Sequence, residues 1–468
     1  MDLLTRLAST LDTPAVPWKP LILTFALGNY ALESYLALRQ YRVLQRTTVP
    51  PQLKHEIDQK TYDKSQAYGR AKARFGFVQG LWSQGKNYLS IQYDAIPWLW
   101  ALTGSWLAAY GPADSTHWLR SEITHSLLFI FTQSFADTLL GLPFSYYHHF
   151  VLEETFNFNK QTRALWATDV VKSQLLSLAL GIPLGAAFLR IIQRTGQSFF
   201  LYIWAFTLLV QLGAITIYPI LIVPLFNTLT PLPPGELKTR VEALAQRLGF
   251  PLGELQVIDG SKRSAHSNAY FTGLPWKKKI VLYDTLIAKS EVKEVEAILA
   301  HELGHWQMGH ITRQIGIASL HSFWIFGLFS VFIGNNSLYQ AFGFPVERPI
   351  IIGFMLFGEV LSPTEAVVKL AMNAWTRKME FEADTFSQNL GYAPELAASL
   401  IKLQIQNLSS MDADWMYSAY HYSHPILTER LKAVGWTSER KVSSSADDDK
   451  DAAAGKTAAE SKDAHKEL

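Results

Sequence analysis

Seven long apolar runs recur along this chain of 468 residues, and they constrain its fold more than any other feature. Each is about twenty residues long, which is the length of helix needed to cross the hydrocarbon core of a bilayer. Backbone polar groups in lipid must be satisfied within the segment, so each run predicts a transmembrane helix. The expected fold is therefore mainly α, a polytopic membrane protein with seven transmembrane helices. The runs lie at about 20–39, 91–111, 123–145, 169–193, 198–226, 314–334 and 349–372.

The composition agrees with a membrane protein. Aromatic residues make up 13% of the chain and charged residues only 18%, against about a quarter charged in soluble domains. The net charge of +2 indicates no polyanionic partner, so no nucleic acid is expected. Because the chain has no cysteine, disulfides, thiol nucleophiles and cysteine-ligated zinc are excluded, and any metal must be bound by His, Asp or Glu.

Several apolar runs contain polar side chains, which are costly in lipid unless they face protein or water. Two interpretations stay open for them. Each could form a hydrogen bond to a neighbouring helix, or together they could line a water-filled chamber inside the bundle. The side chains are Gln133, Asp137, Gln211, Glu359 and Glu365.

Lys and Arg are concentrated in the loop after the first run and after the fifth and seventh runs, whereas the loops after the second and sixth runs hold one Arg each. Positive charge marks the cytosolic side, so the odd-numbered runs are expected to end in the cytosol. The tail is mostly Ser, Ala, Asp and Lys, which predicts disorder. The expected organisation is spans 1–5 with a cytosolic loop at 40–90 (1–227), a soluble cytosolic insert (228–312), spans 6–7 (313–372), further cytosolic helices (373–437) and a disordered tail (438–468).

A metal-binding motif lies near the end of the soluble insert, where residues 301–305 read HELGH. His301 and His305 are four residues apart, so on a helix they face one side and can share one Zn²⁺. Glu302 beside them can act as a base. The preceding helix shows an apolar stripe with charges outside it, at Glu291, Lys293, Glu294 and Glu296, which supports the motif. The alternative is a surface helix with solvated histidines.

A catalytic zinc site needs a third protein ligand. On a continuous helix His310 lies about 140° from His305, so we expect it to be a solvent or interface histidine. Glu380 and Asp384 are one turn apart on a later helix, so one could bind zinc while the other orients a ligand histidine. On the same helix, Glu382 faces roughly the side opposite to Glu380 and Asp384. Ordinary surface charge is the alternative for this acidic pair.

Two further stretches carry polar groups that suit a peptidase. SAHSNAYFTGL lies between two strand-like runs, ELQVIDG and KKIVLYDTL, and offers a polar backbone edge beside Asn268. Many peptidases hold their substrate as an added strand. YHYSHPILTERLKAV places His424 before a helix and Arg430 on it. A purely structural role is equally open for both stretches.

Taken together, the segments FSYYHHFVLEETFNFNKQT, GSKRSAHSNAYFTGLPWKKKIVLYDTL, AHELGHW, MEFEADTF and HYSHPILTERL closely resemble the type I CAAX prenyl proteases. These are integral-membrane zinc metalloproteases of the endoplasmic reticulum, and the resemblance covers about residues 20–435. It implies seven transmembrane helices enclosing a water-filled chamber, with a zinc metalloprotease domain that faces the cytosol and contains a small β-element. The nuclear envelope is left open as a second location.

The resemblance also implies a reaction and roles for individual residues. The implied reaction removes the last three residues of a C-terminal CAAX tetrapeptide whose cysteine is farnesylated or geranylgeranylated, so prenylated protein tails and the lipid bilayer are the implied partners. One Zn²⁺ per chain would be bound by His301, His305 and Glu380, with Glu302 as general base.

For four other positions the resemblance implies supporting roles. Asp384 matches a family aspartate that is variously a proton donor or a ligand-orienting residue. His424 is similar to the residue that stabilises the oxyanion. Asn268 would contact the substrate backbone, and Arg430 would support the substrate-binding site.

Two other functions remain open from the sequence. One is a membrane metalloprotease that degrades misfolded membrane proteins regardless of prenylation. The other is a seven-span transporter or receptor with an inert zinc site. An intramembrane protease fits less well, because charged residues flank the motif.

Overall fold

The computed structural model describes residues 2–436 except 113, 115, 116 and 275, so the tail expected to be disordered lies outside the described residues. The described chain is mainly helical with one small sheet. Its helices are α1 Asp2–Leu11, α2 Trp18–Val43, α3 Gln59–Gln92, α4 Ala95–Tyr110, α5 Glu122–Tyr147, α6 Arg163–Thr195, α7 Phe199–Ile217, α8 Val223–Phe226, α9 Glu236–Leu248, α10 Asp284–Lys289, α11 Val292–Gln307, α12 His310–Phe332, α13 Asn336–Ala341, α14 Ile350–Asn389, α15 Ala393–Gln406, α16 Trp415–His421 and α17 Leu427–Ala433. Its strands are β1 Leu229–Pro231, β2 Leu252–Ile258, β3 Ala269–Leu274 and β4 Lys277–Tyr283.

Five helical segments of the described chain are long and apolar enough to cross a membrane. One of them, Arg163–Phe226, has 64 residues and contains two of the apolar runs. A short turn at Gly196–Ser198 separates α6 from α7 inside it, and Gly196 has a φ of +56° that favours glycine. The run at 91–111 forms α4, which has only 16 residues. All seven runs are therefore helical. The other four segments are Trp18–Val43, Glu122–Glu153, His310–Phe332 and Ile350–Asn389.

Most of the loop expected at 40–90 is helical, because the 34-residue helix α3 runs from Gln59 to Gln92 and reaches into the start of the second apolar run. Asp58 caps this helix, because its carboxylate accepts a hydrogen bond from the Thr61 backbone amide at 2.7 Å. One side of α3 packs along α2. The helix carries no apolar stripe that a sequence pattern could detect, since it lines internal cavities instead of a dry core.

Polar side chains inside the apolar runs make contacts between helices and also line a cavity, so both interpretations left open by the sequence find examples. Glu365 on α14 lies 3.3 Å from His321 on α12, which joins two helices. Asp137 on α5 accepts a hydrogen bond from Lys86 at 2.8 Å. Asp137 and Gln133 also line a cavity of about 610 Å³. The helix bundle therefore contains space that polar side chains line in part, as well as polar contacts between helices.

The sheet has the strand order β1-β2-β4-β3, with β2 and β4 parallel and the outer pairs antiparallel. The sequence predicts β2 and β4 as strands. It does not predict β3, which follows Asn268 and forms one edge of the sheet. The sheet packs on α9 and α11 around a dry core of side chains that includes Val241, Leu244, Ile280, Leu282, Val295 and Leu299.

Helix α11 carries the HExxH motif and is covered on most of its surface. Glu294 and Glu296, expected on a solvated face, are only 8% and 7% exposed. Glu294 accepts a hydrogen bond from Lys402 on α15 at 2.7 Å, and Glu296 accepts one from the Tyr392 hydroxyl at 2.7 Å. The expectation of a solvated face is wrong for these two residues, because helices from other parts of the chain pack over them.

Helix α14 joins a membrane segment to the metal site without interruption. It runs for 40 residues from Ile350 to Asn389 and contains both the last apolar run and the MEFEADTF segment. It packs closely on α11. A Cβ atom on Gly304 would lie 3.0 Å from the Phe386 ring, so the small residue permits this approach.

Candidate active site

Three side chains from α11 and α14 converge on one point. Nε2 of His301 lies 3.2 Å from Nε2 of His305. The Glu380 carboxylate completes the triangle, with Oε2 at 3.4 Å from His301 Nε2 and Oε1 at 3.3 Å from His305 Nε2. No other group of three or more possible metal ligands is found among the described residues.

The geometry of this group fits a zinc ion. In a tetrahedral site with bonds of 2.0–2.2 Å, neighbouring ligand atoms are about 3.3 Å apart, and the three separations given above match that value. Oε2 of Glu380 is buried and accepts no hydrogen bond from the described residues. A buried carboxylate oxygen without a donor costs free energy, which a cation in the centre of the triangle would offset.

The Nδ1 atoms of both histidines are used by other partners. Nδ1 of His301 lies 2.9 Å from Oδ1 of Asp384, a carboxylate that can only accept when ionised. Nδ1 of His305 lies 2.8 Å from Nδ1 of His310. If each Nδ1 carries the proton, the two Nε2 atoms are lone-pair donors that face each other. Such a pair needs a cation between them.

Asp384 is fully buried behind His301 and also binds Arg430. The guanidinium donates two hydrogen bonds to this carboxylate, from Nη2 at 2.6 Å and from Nε at 2.8 Å. Burial alone lowers the pKa of His301, but the neighbouring carboxylates of Asp384 and Glu380 outweigh it and raise the pKa to about 9. The two carboxylates therefore make this corner of the site attractive to positive charge.

His310 lies behind His305 as a buried interface histidine, which is one of the two options expected, but it is not on the far side of the motif helix. Helix α11 ends at Gln307, and Gly309 turns the chain with a φ of +66°. The continuous helix that places His310 on the far side is therefore interrupted. His310 is 1% exposed, and its Nε2 lies 3.0 Å from Oε2 of Glu382. His310 is therefore neither a candidate ligand nor a solvent-facing residue. Its imidazole connects His305 to Glu382.

Beside the three ligands is a cleft of about 360 Å³. Glu302 lines it, and burial raises the pKa of this carboxyl, partly offset by His301 and His305. A carboxylate with a raised pKa is a better base near neutral pH. One wall of the cleft is aliphatic and consists of Leu286, Ile298, Leu396, Leu400 and Leu403.

Three of the remaining sequence-predicted residues also line the cleft, namely Asn268, His424 and Arg430. Nε2 of His424 lies 3.3 Å from Oε1 of Glu380. Asn268 stands at the start of β3, and its Oδ1 accepts a hydrogen bond from the Ala269 amide at 2.8 Å. Arg430 reaches the site mainly through Asp384. The structure thus brings all eight predicted residues together, with Asp384 behind the ligands rather than in the cleft.

Sequence reasoning missed the supporting role of His310 and Glu382 and the aliphatic wall of the cleft. Gly309 was the available signal for His310, since a glycine next to a histidine can end a helix and turn the chain. The aliphatic wall is assembled from α10, α11 and α15, so no local pattern could have revealed it.

Comparison with protein families gives two adjacent matches. Residues 40–228 match a family described as the CAAX prenyl protease N-terminal region with five membrane helices. Residues 231–437 match peptidase family M48. The boundary between the two matches falls at β1, where the membrane helices give way to the sheet.

Individual relatives are similar over most of the chain. CAAX prenyl protease 1 of Saccharomyces cerevisiae is 46% identical over 450 residues, covering 93% of this chain and 99% of the relative. The human CAAX prenyl protease 1 homologue is 39% identical over 454 residues, covering 88% and 94%. The crystal structure of S. mikatae Ste24p has a TM-score of 0.85 and 44% identity, covering 90% of this chain and all of that one.

Proposed function

Because this chain belongs to the CAAX prenyl proteases of peptidase family M48, we propose that the cleft between α11 and α14 is a zinc site that cleaves prenylated CAAX tails. The resemblance seen in the sequence is confirmed, and the protein is a membrane metalloprotease that removes the last three residues of such tails. The triangle of His301, His305 and Glu380 is the observation that carries the assignment of the site.

We assign the metal to these three ligands, one Zn²⁺ per chain. Bound zinc supplies a Lewis acid and lowers the pKa of water towards about 7. Glu302 lies in the cleft next to both histidines, so it takes the proton from the attacking water and passes it to the leaving amine. Asn268 holds the substrate backbone at the start of β3.

His424 and Asp384 have different tasks in this scheme. His424 lies on the cleft side of Glu380 and donates a hydrogen bond to the oxyanion that develops on the scissile carbonyl. Asp384 is fully buried and bonded to His301 and Arg430, so it orients a ligand rather than donating a proton. Arg430 holds Asp384 in place.

The aliphatic wall of the cleft suits the substrate class. A CAAX tail has aliphatic residues after its cysteine, and the bond to be cleaved follows that cysteine. A residue such as Val or Ile would bury its side chain against Leu396 and Leu400, which contributes about 25 cal/mol per Å² of apolar surface.

We further propose that all seven apolar runs cross the bilayer of the endoplasmic reticulum, with the metal cleft on the cytosolic side. The turn at Gly196–Ser198 allows α6 and α7 to cross separately. Helix α4 follows α3 after a break of two residues, so the pair can cross together although α4 alone is short. The cavities among these helices, which polar side chains line in part, support a water-filled chamber.

The test is a cleavage assay on the purified full-length protein in detergent. The substrates are a farnesylated CAAX peptide and the same peptide without the farnesyl group, and the control enzyme is Glu302→Gln. We expect release of the C-terminal tripeptide from the farnesylated peptide only, with a loss of at least about 10³-fold in the variant, since the base is removed.

Other outcomes would contradict the proposal. Equal cleavage of both peptides would favour a quality-control protease that ignores prenylation. Bound zinc without cleavage of either peptide would favour an inert site in a transporter or receptor.

A further inference from the structure

A large cavity adjoins the metal cleft. It measures about 890 Å³ and lies between α2, α3 and the segment around α16. The side chain of His424 lines both the cavity and the cleft, so the two spaces meet beside Glu380. A peptide bound in the cleft therefore has room to extend into this cavity on one of its two sides.

Lys72 on α3 is the one Lys or Arg among the described residues that line this cavity. The one carboxylate there, Glu33, is already engaged by Lys369 and His421, each at 3.1 Å. Nζ of Lys72 lies 5.0 Å from the centre of the Tyr68 ring. It makes no salt bridge within the described part of the chain. The cavity thus contains an ammonium group without a counter-ion.

Beyond the Tyr68 ring lies a corner formed by Tyr68, His148, Glu153 and His266. Glu153 is buried and already accepts a hydrogen bond from the Tyr68 hydroxyl at 2.7 Å. Two imidazoles approach the same carboxylate, with Nε2 of His266 at 3.6 Å and Nε2 of His148 at 3.7 Å. Glu153 is therefore engaged by these partners and makes no salt bridge with Lys72 within the described part of the chain.

His148 and Glu153 in this corner come from a part of the chain that contributes no residue to the candidate metal site. His148–Glu153 form a π-helix at the end of α5, within the segment FSYYHHFVLEETFNFNKQT. π-helices are rare and occur frequently at functional sites. The Phe158 ring from the same segment stacks on His266 at 4.3 Å, which fixes that imidazole at the cavity wall.

The backbone leads directly from this corner to the cleft. His266 precedes Asn268 by two residues, which span about 7 Å when extended. β3 is an edge strand that can accept a further strand. A tail lying antiparallel to β3 would place the residues after the cleaved bond beside Ser267 and His266, with its terminal carboxylate at the corner.

We propose that Lys72 binds the C-terminal carboxylate of the substrate tail. This inference rests on the proposed function, because it names how that same site recognises its substrate. The carboxylate is the one charged group that every CAAX tail shares, whereas the side chains vary. A cation on this side of the cleft favours chains that end there.

The test compares two farnesylated CAAX peptides that differ only at the C-terminus, one a free acid and the other an amide. The full-length enzyme, Lys72→Ala, Lys72→Arg and the control Lys64→Ala are assayed on both. Lys64 lies on the same helix, is exposed and does not line the cavity. Unchanged thermal unfolding in detergent verifies that each variant is folded.

We expect the wild type and Lys64→Ala to cleave the acid about tenfold more efficiently than the amide, mainly through KM, since a charge-assisted hydrogen bond is lost with the amide. In Lys72→Ala the ratio falls to about one because only the acid is affected, and Lys72→Arg keeps most of the preference. An equal loss on both peptides in Lys72→Ala, or no preference in the wild type, would overturn the inference. Failure of the wild type to cleave either peptide would instead refute the proposed function.

Discussion

The two histidine ligands are supported by different partners. His301 is held directly by the buried carboxylate of Asp384, whereas His305 is held by His310, which in turn binds Glu382. A carboxylate bonded to a ligand histidine fixes the ring orientation and makes it a better ligand. For His305 the same effect depends on an additional imidazole, that of His310, which lies between His305 and the Glu382 carboxylate.

The contacts that run from His305 through His310 to Glu382 can be tested by mutation. His310→Ala should weaken zinc binding about 10- to 100-fold, because the His305 ring loses the partner that orients it. Glu382→Ala should act in the same direction with a smaller effect. Competition between the protein and a chelator of known affinity measures the dissociation constant.

Glu242→Ala is a suitable control, since Glu242 lies on the surface of α9 with only a 3.9 Å contact to Lys238. Zinc affinity equal to that of the wild type in both His310→Ala and Glu382→Ala would show that the contacts do not support the metal.

The second prediction concerns the buried pair of Asp384 and Arg430. Asp384→Asn keeps the shape but leaves the Arg430 charge with only a 3.9 Å contact to Glu380, which should cost about 3 kcal/mol of stability. The double variant Asp384→Asn/Arg430→Met should recover part of that loss, because the weakly paired charge is removed, yet not recover zinc affinity. Thermal unfolding in detergent and zinc content measure the two effects separately.

If the double variant regains zinc affinity together with stability, the pair only supports the fold. If Asp384→Asn unfolds like the wild type, the pair contributes nothing to stability either.

At the scale of elements, the contact between α11 and α14 assembles the site. The motif helix supplies two of the proposed ligands and α14 supplies the third, and Gly304 faces Phe386 where the two helices meet. A larger residue at this position must push the helices apart, which moves Glu380 away from both histidines.

Gly304→Val should therefore destabilise the protein by about 1–3 kcal/mol and weaken zinc binding. Thermal unfolding and zinc content are the measurements. Gly85→Val on α3 is the control, because a Cβ there meets no atom within 4 Å. Truncation of the facing ring in Gly304→Val/Phe386→Ala should restore zinc binding in part, and failure to do so would argue against steric separation of the helices.

Sequence patterns predict some elements of this fold well and others poorly. The apolar runs and HExxH are local signals, so all seven helices and two of the candidate ligands follow from the sequence alone. Helix α3 and strand β3 lack a clear apolar period, because α3 lines cavities and β3 borders the cleft. The position of His310 depends on one left-handed glycine, and the covering of Glu294 and Glu296 depends on helices distant in the sequence.

At the scale of the whole molecule, the expected orientation can be tested with introduced cysteines, because the chain has none of its own. Lys238→Cys on α9 should react with a membrane-impermeant maleimide added to the cytosolic side of microsomes. Val346→Cys, at a position 83% exposed between α13 and α14, should react only after permeabilisation. Labelling of both positions in intact microsomes would contradict the proposed topology.

Helix α14 makes the metal site mechanically dependent on the bilayer. From Ile350 to Glu380 it is about 45 Å long at 1.5 Å per residue, so a one-degree tilt about its far end would move Glu380 by roughly 0.8 Å. Metal–ligand bonds tolerate only about 0.2 Å. We therefore expect a bound metal to fix the tilt angle of this span. Bilayer thickness, which also affects that angle, should then change the affinity for the metal.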